Sequence, residues 1–508
     1  VTGPPVRAPG HGPGHGPGQA TGQATGQVTA QAPGQVPGQA AVPASHPLTP
    51  AQLADARLAP SPARPSRSGR SGVPGRVLAL TGATVTALAL LFAALAVGAG
   101  SAGDGLRVIG RDAGPQVVAT AGLYFGLSDM DAQVADALLM GEEYAERRRA
   151  AVARYEQRRS EANAALLKAF ELSGDDRAER RTIQSVLDGL GRYEQLAGQA
   201  LLLDARSGHA AGPPPAEVVG LYRQATDLMR RVLLPQAYNL TLESGTIVRA
   251  THDDNSATVP LLRAAVIVTG LAALACLALL QLYLARRFRR LVAPALLAAA
   301  AVTVAAVVGG AGALGRAQAD LHTGKREGFD PVLTVARARA ISNSMQGDQS
   351  RYLLDKERAD TYEHTFLDKS QTVFYLPAGN LGGYHAKVAE GATDFLGLMG
   401  VQAAGADGQR VVAAYRTFQE ADTTFRALVR DGRHREAVAA RLGPVREAFD
   451  AYDRTLLALS QRHQAAFERA IGSGERGLDI LWRLLPFAIG GLGLLVAAGV
   501  WPRLKEYR

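Results

Sequence analysis

Cysteine occurs once, tryptophan twice, and aromatic residues make up only 6% of this 508-residue chain. The single thiol, Cys276, can close no internal disulfide, so every folded part must hold by packing alone. Catalytic signatures are missing too: the chain has no Walker loop, zincin helix, nucleophile elbow or kinase set. Gly310-Ala-Gly312-Ala-Leu-Gly315 satisfies the letter of a dinucleotide fingerprint. No strand precedes it and it closes an apolar run, so close packing of helices through small residues explains it better. His252-Asp253-Asp254 reads as a solvated connection, and His11 and His15 lie in a Gly-Pro run without acidic or cysteine neighbours. No enzymatic activity, cofactor or metal is expected.

A net charge of +9 would suit nucleic acid, but no basic stripe with interleaved aromatics is present, and no nucleic-acid partner is expected. The charge is placed unevenly. Residues 1–76 carry +5, the stretch 285–290 carries +4 and the residues after Trp501 carry +2, which leaves the long segments 100–263 and 315–483 together at −2. That distribution is the one membrane topology produces, basic residues being retained in short cytoplasmic loops. Arginine outnumbers lysine roughly eightfold, with abundant Ala and Gly, a bias that fits a GC-rich bacterial genome.

What the chain does have is four apolar runs. Val77–Gly98, Ala264–Leu284, Leu291–Leu314 and Leu484–Val500 are each long enough, at about 1.5 Å per helical residue, to cross a hydrocarbon core of about 30 Å with modest adjustment. The first is longer than a usual signal-peptide core and follows a long leader, so an uncleaved helix is expected there. Arg286, Arg287, Arg289 and Arg290 separate the second and third runs, and Arg76 precedes the first; these arginines place the loop and both termini in the cytoplasm. Trp482 and Trp501 flank the last run as interfacial anchors.

The resulting fold class is all-α, with four transmembrane helices, two extracytoplasmic antiparallel helical bundles related by internal duplication, and a disordered N-terminal tail. Residues 1–76 form the Gly/Pro/Gln-rich tail, 77–99, 264–284, 291–314 and 484–501 the spans, 100–263 and 315–483 the bundles, 285–290 the arginine loop and 502–508 a short cytoplasmic tail. Duplication rests on an offset of 216 positions, which lays Pro115 on Pro331, Ser128 on Ser344, Gln133 on Gln349 and Leu138 on Leu354. The bundle helices are expected to be about 40 residues each, with the first and last running into the spans. Pro235 and Pro260 should bend or interrupt the last helix of the first bundle, and Leu376–Gly383 and Gly443-Pro444 should break helices of the second.

Polarity within the seams is the main functional signal. Val117, Ala121, Tyr124, Ser128, Asp131, Ala135 and Leu138 follow the three- and four-residue steps of a bundle seam, with Asp129 beside it. The matching seam in the second bundle carries Arg337, Ser344, Gly347 and Arg351, with Asp348 alongside. A charge in such a seam needs a partner, a ligand or an opening to water. Ser128, Asp129, Asp131, Ser344, Asp348 and Arg351 are therefore candidate ligand or partner contacts, a register-fixing polar layer being the bland alternative. Arg147–Arg149 and Arg158-Arg159, interleaved with Glu142, Glu143, Glu146 and Glu156, suit i,i+4 pairs on a solvated face.

With these spans and the Ser128–Asp131 and Ser344–Arg351 stretches, the chain resembles tandem copies of the four-helix-bundle sensor domains of bacterial chemoreceptors and sensor kinases. Its layout is similar to the actinobacterial GlnX family. That resemblance implies a multi-pass cell-membrane transducer between an extracytoplasmic amino-acid-binding lipoprotein and a cytoplasmic Ser/Thr kinase, PknG. A homodimer is compatible with it. The expected role is signal transduction with output borrowed from a separate cytoplasmic partner; a structural or transport-associated envelope scaffold is the alternative.

Overall fold

The computed structural model describes residues 73–174, 176–288 and 293–505, and no strand occurs among them. The tail expected to be disordered, including His11 and His15, lies outside the described residues except for its last few, as do Arg289, Arg290 and the final three residues. Helix α1 (Val73–Arg107) begins earlier than the first apolar run and does not stop where it ends. It passes through a π-helical turn, Val108–Ala113, straight into α2 (Gly114–Met140). The first bundle continues with α3 (Ala145–Leu172), α4 (Arg177–Ser207), α5 (Ala216–Leu228) and α6 (Leu234–Phe288). Breaks fall at the expected Ser-Gly and Gly-Pro-Pro-Pro sites, and Asp176 caps α4 by accepting the Ala178 N–H at 2.8 Å.

The second half repeats this plan. Helix α7 (Pro294–Thr323) runs through a π-turn at Gly324–Phe329 into α8 (Asp330–Leu354), followed by α9 (Ala359–Val373), α10 (Leu381–Ala389), α11 (Gly405–Arg430), α12 (His434–Ala440) and α13 (Arg446–Lys505). The two junctional π-turns start 216 residues apart, the offset that aligns the seam residues. A second pair, Met229–Leu233 and Arg441–Val445, sits near the far end of each returning helix. Bundle helices α2, α3 and α4 are 27, 28 and 31 residues long, shorter than expected.

Several breakers fail to break. Pro260 lies inside α6, a 55-residue helix, and Pro235 lies just after the π-turn Met229–Leu233 within a rod that is continuous from Ala216 to Arg286. Gly443-Pro444 is absorbed in the last π-turn, whereas the Leu376–Gly383 stretch does break the helix: residues 374–380 are non-helical, and only Leu381–Gly383 join α10, whose N-cap Asn380 accepts the Gly383 N–H at 2.7 Å. His252-Asp253-Asp254 is a stretch of α6, not a connection.

Among the described residues, four helical segments are long and apolar enough to cross a membrane: Gly75–Met140, Ala216–Arg286, Pro294–Leu354 and His434–Pro502. At 66 residues the first would extend roughly 100 Å, so each carries a span and a bundle helix on one rod. In the apolar part α1 packs on α6, α6 on α7, α7 on α13 and α13 back on α1. Gly310 meets Leu95 there, a Cβ at that position falling 2.1 Å from Leu95 Cδ2, so the glycine-rich stretch serves helix packing. Trp482 and Trp501 are exposed at either edge of the last span.

Beyond the spans the two bundles share one core. Leu127, Met130 and Val134 of α2 and Ile341 and Met345 of α8 belong to a single hydrophobic cluster that also takes in Phe418 and Tyr452. Helices α2 and α8 lie against each other at its centre.

Candidate functional site

The central pair of helices is enclosed on every side. Residues 126–140 of α2 and 340–351 of α8 are all buried, so the one-sided apolar stripe of a surface helix gives way to a ring of contacts. Charges on such helices must be met inside the protein.

They are met across the boundary between the halves. Arg351, 1% exposed, donates from Nη2 to Asp131 Oδ2, from Nη1 to Asp348 Oδ1 at 2.6 Å and from Nε to the Tyr222 hydroxyl at 3.1 Å. Asp131 is also 1% exposed; its oxygens accept from Thr226 Oγ1 at 2.7 Å and from the Tyr193 hydroxyl at 3.2 Å. The remaining Asp348 oxygen takes Lys369 Nζ, which also reaches Ser344 Oγ at 2.7 Å. Burial, with Arg230 and Arg351 nearby, lowers Lys369 to about 8. Burial alone would raise the Asp348 carboxyl, but Lys369 and Arg351 outweigh it and hold it below its ordinary value. Gly347 makes room for this arrangement, since a Cβ there would stand 2.7 Å from Arg351 Nη2.

A second group, not anticipated from the sequence, centres on Asp136 of α2. Its carboxylate accepts from Ser350 Oγ at 2.5 Å, from Arg441 Nη2 at 2.7 Å and from Arg446 Nη1. Arg441 is fully buried, and that burial lowers its pKa in spite of Asp136. The rim adds Arg223 to Asp355 at 2.7 Å and Arg358 to Asp227 at 3.1 Å. Each of these pairs joins the first half to the second.

All six sequence-selected site residues are thus buried. Asp131, Asp348, Arg351 and Ser344 form one network. Asp129 lies apart, accepting from Arg158 Nε at 2.6 Å and from Gln133 Nε2 at 2.7 Å, while Ser128 Oγ has no partner among the described residues. Arg337 lies over the Tyr238 ring at 4.5 Å. The charged face of α3 is only partly solvated: Arg148 reaches Asp204 at 2.6 Å, and Arg149 and Arg159 pair at i,i+3 with Glu146 and Glu156 rather than at i,i+4. Among the described residues no group of three or more His, Cys, Asp or Glu side chains is placed to hold a metal. Of the topology arginines, Arg76 and Arg286 lie at the ends of the first and second spans, with Arg76 at the start of α1 and Arg286 near the end of α6.

Where the bundles meet the spans, both junctional π-turns bear on α13. Gly110 faces Ile471, and Gly328 lies so close to Phe467 that a Cβ would fall 2.8 Å from its backbone nitrogen. Helix α13 therefore links the Asp136 group, through Arg446, to the junction and on into the last span.

Comparison with known proteins gives one result. Residues 105–253, from the end of α1 into α6, match the model of the Actinobacterial sensor domain. No curated protein and no solved structure matches the chain at a significant level. The sensor-domain match together with four apolar helices long enough to cross a membrane fits a multi-pass membrane sensor.

Proposed function

We propose that the chain is a non-enzymatic signal transducer whose two bundles lie outside the cell membrane, with the termini and the arginine loop in the cytoplasm. The observation that carries this reading is mechanical: every span continues without a break into a bundle helix, and the charge network between the bundles lies on all four of those rods. A ligand or binding protein that shifts one bundle against the other changes the tilt of helices reaching the cytoplasmic side. The two junctional π-turns, 216 residues apart, support descent from a duplicated span–bundle–span unit. An amino-acid-binding lipoprotein outside and a Ser/Thr kinase inside are the partners that the resemblance to the GlnX family implies.

Cross-linking in cells tests the reading. Cys276→Ala removes the only native thiol, and cysteines at Leu95 and Gly310 report the α1–α7 contact inside the membrane. Cross-linking should change when the solutes supplied outside are changed, and Gly328→Val should remove the response. Equal cross-linking under all conditions, with an unchanged phosphoprotein pattern in a deletion strain, would leave a static envelope scaffold as the answer.

A further inference from the structure

The apolar half of the molecule contains a groove that packing between the helices leaves unfilled. It has a volume of about 530 Å³ and lies where α1, α7 and α13 come together. Phe92 of α1 and Leu484 and Phe487 of α13 wall it, while Ala305, Ala306 and Gly309 of α7 are too small to close it. Phe487 is 78% exposed, so the groove opens sideways toward the bilayer. Its lining on α7 runs from Val302 to Arg316, about 21 Å along the helix axis, which exceeds the hydrocarbon depth of one leaflet, about 15 Å. A slot of this length with apolar walls takes a hydrocarbon chain.

One charge stands at the bundle end of the groove. Among the described residues Arg316 is the single charged group in the lining; it is exposed and has no hydrogen bond, ion pair or ring contact. Its guanidinium is turned back along the span: a Cβ placed on Gly312, one turn deeper, would stand 3.6 Å from Arg316 Nη1. Asp320, one turn the other way on α7, stands instead against Gly474 of α13, and Glu475 is taken by Arg111 at 3.0 Å. A guanidinium at the edge of the hydrocarbon that the protein leaves unpaired is best met by an anion held at the same depth. A phospholipid supplies both parts, a chain for the slot and a phosphate at the level of Arg316. No acidic side chain lines the groove to receive an ammonium group, which favours a headgroup of net negative charge over a zwitterionic one.

We propose that this groove binds one anionic phospholipid of the bundle-side leaflet, its acyl chain between α7 and α13 and its phosphate on Arg316. The site depends on the apolar helices lying in a bilayer and not on what the bundles sense, so its failure would leave the cross-linking assay standing. The full chain, purified in detergent, is given equal amounts of phosphatidylglycerol and phosphatidylethanolamine with identical acyl chains, and the lipid it retains is counted by native mass spectrometry. Phosphatidylglycerol should be held about fivefold in preference, the factor that one basic residue near a membrane surface contributes. Arg316→Gln should bring the two lipids to parity. Gly309→Leu, at a lining position with open space around its Cβ, should fill the slot and release both. Two controls should behave like the parent: Arg263→Gln, whose guanidinium lies against Gly315 outside the lining, and Gly82→Leu, at an exposed position of α1 with open space beside it. Retention of neither lipid or of both equally by the parent, a preference lost as fully in Arg263→Gln as in Arg316→Gln, or unchanged retention in Gly309→Leu would overturn the site.

Discussion

Removing either partner of the Asp131–Arg351 pair should be far more damaging than removing both. Arg351 stays fully enclosed in Asp131→Ala, with Asp348 already shared with Lys369 and only a tyrosine hydroxyl left to meet Nε. In Arg351→Ala the orphan is Asp131, still held by Thr226 and Tyr193 but without a counter-charge among its hydrogen-bond partners. Breaking a buried pair by removing one member costs about 3–5 kcal/mol. At about 2–4 °C per kcal/mol for a domain of this size, each single variant should melt roughly 6–20 °C below the parent. Asp131→Leu with Arg351→Met removes both charges at similar volume and should melt close to the parent, above either single variant. Helix loss followed by circular dichroism on the full chain in one detergent, at one scan rate, measures all four proteins. Additive losses in the double variant, or single variants within about 2 °C of the parent, would refute the pairing as a stabilising contact. The experiment also guards the functional assay, because a signalling defect in Asp131→Ala alone does not separate sensing from folding.

Other outcomes follow from single contacts. Burial would raise the Asp422 carboxyl, but Arg426 and His385 outweigh it and hold it down to about 2, below the ordinary 3.8. That carboxylate therefore adds stability that is fully present above about pH 4 and is lost as pH falls toward 2, about 2 kcal/mol in all. Asp422→Asn should flatten the acid limb of a stability–pH curve over that window, and a limb of unchanged slope would count against the assignment. Gly347→Ala drives a methyl against the Arg351 guanidinium and should cost about 1–3 kcal/mol, whereas Gly191→Ala, on an exposed face of α4 with open space beside it, should be neutral or mildly stabilising; parallel melts compare them. In a Cys276→Ala background, Arg286→Cys should react with a membrane-impermeant maleimide only after cells are opened, and labelling of intact cells would invert the proposed topology.

Much of the architecture was legible because it depends on local pattern. Apolar runs, arginine loops, and seams stepping by three and four residues announce spans and bundle helices without knowledge of neighbours. Seam phase also singled out Asp131 and Arg351 as charges requiring an answer. What it could not say is that they answer each other, since that depends on α2 lying beside α8, a lateral choice with no local signature. Asp422 was readable in principle. Tyr415, Phe418 and Phe425 mark a seam, and the position between the last two is Asp422, fully buried where an apolar residue was due. Asp136 gave no such sign, because it lies off the seam and is buried only through the second half. The proline expectations failed for a related reason: a long helix held along its length by neighbours tolerates a missing hydrogen bond that would end an isolated one.

The bonds between the halves do not respect the repeat that relates them. At the offset of 216, Asp131 falls on Gly347, Arg351 on Ala135 and Asp136 on Tyr352. Each central ion pair therefore occurs once, between positions that are not equivalent, whereas two identical units packed about a twofold axis would form every such contact twice. Gly347 shows what this requires, because the space that a side chain equivalent to Asp131 would fill is taken by the guanidinium that Asp131 binds. Small and charged residues have exchanged places across the boundary, so neither half carries the full set of groups its own central helix needs. Such specialisation makes the relative position of the bundles a property fixed by a few buried bonds rather than by symmetry.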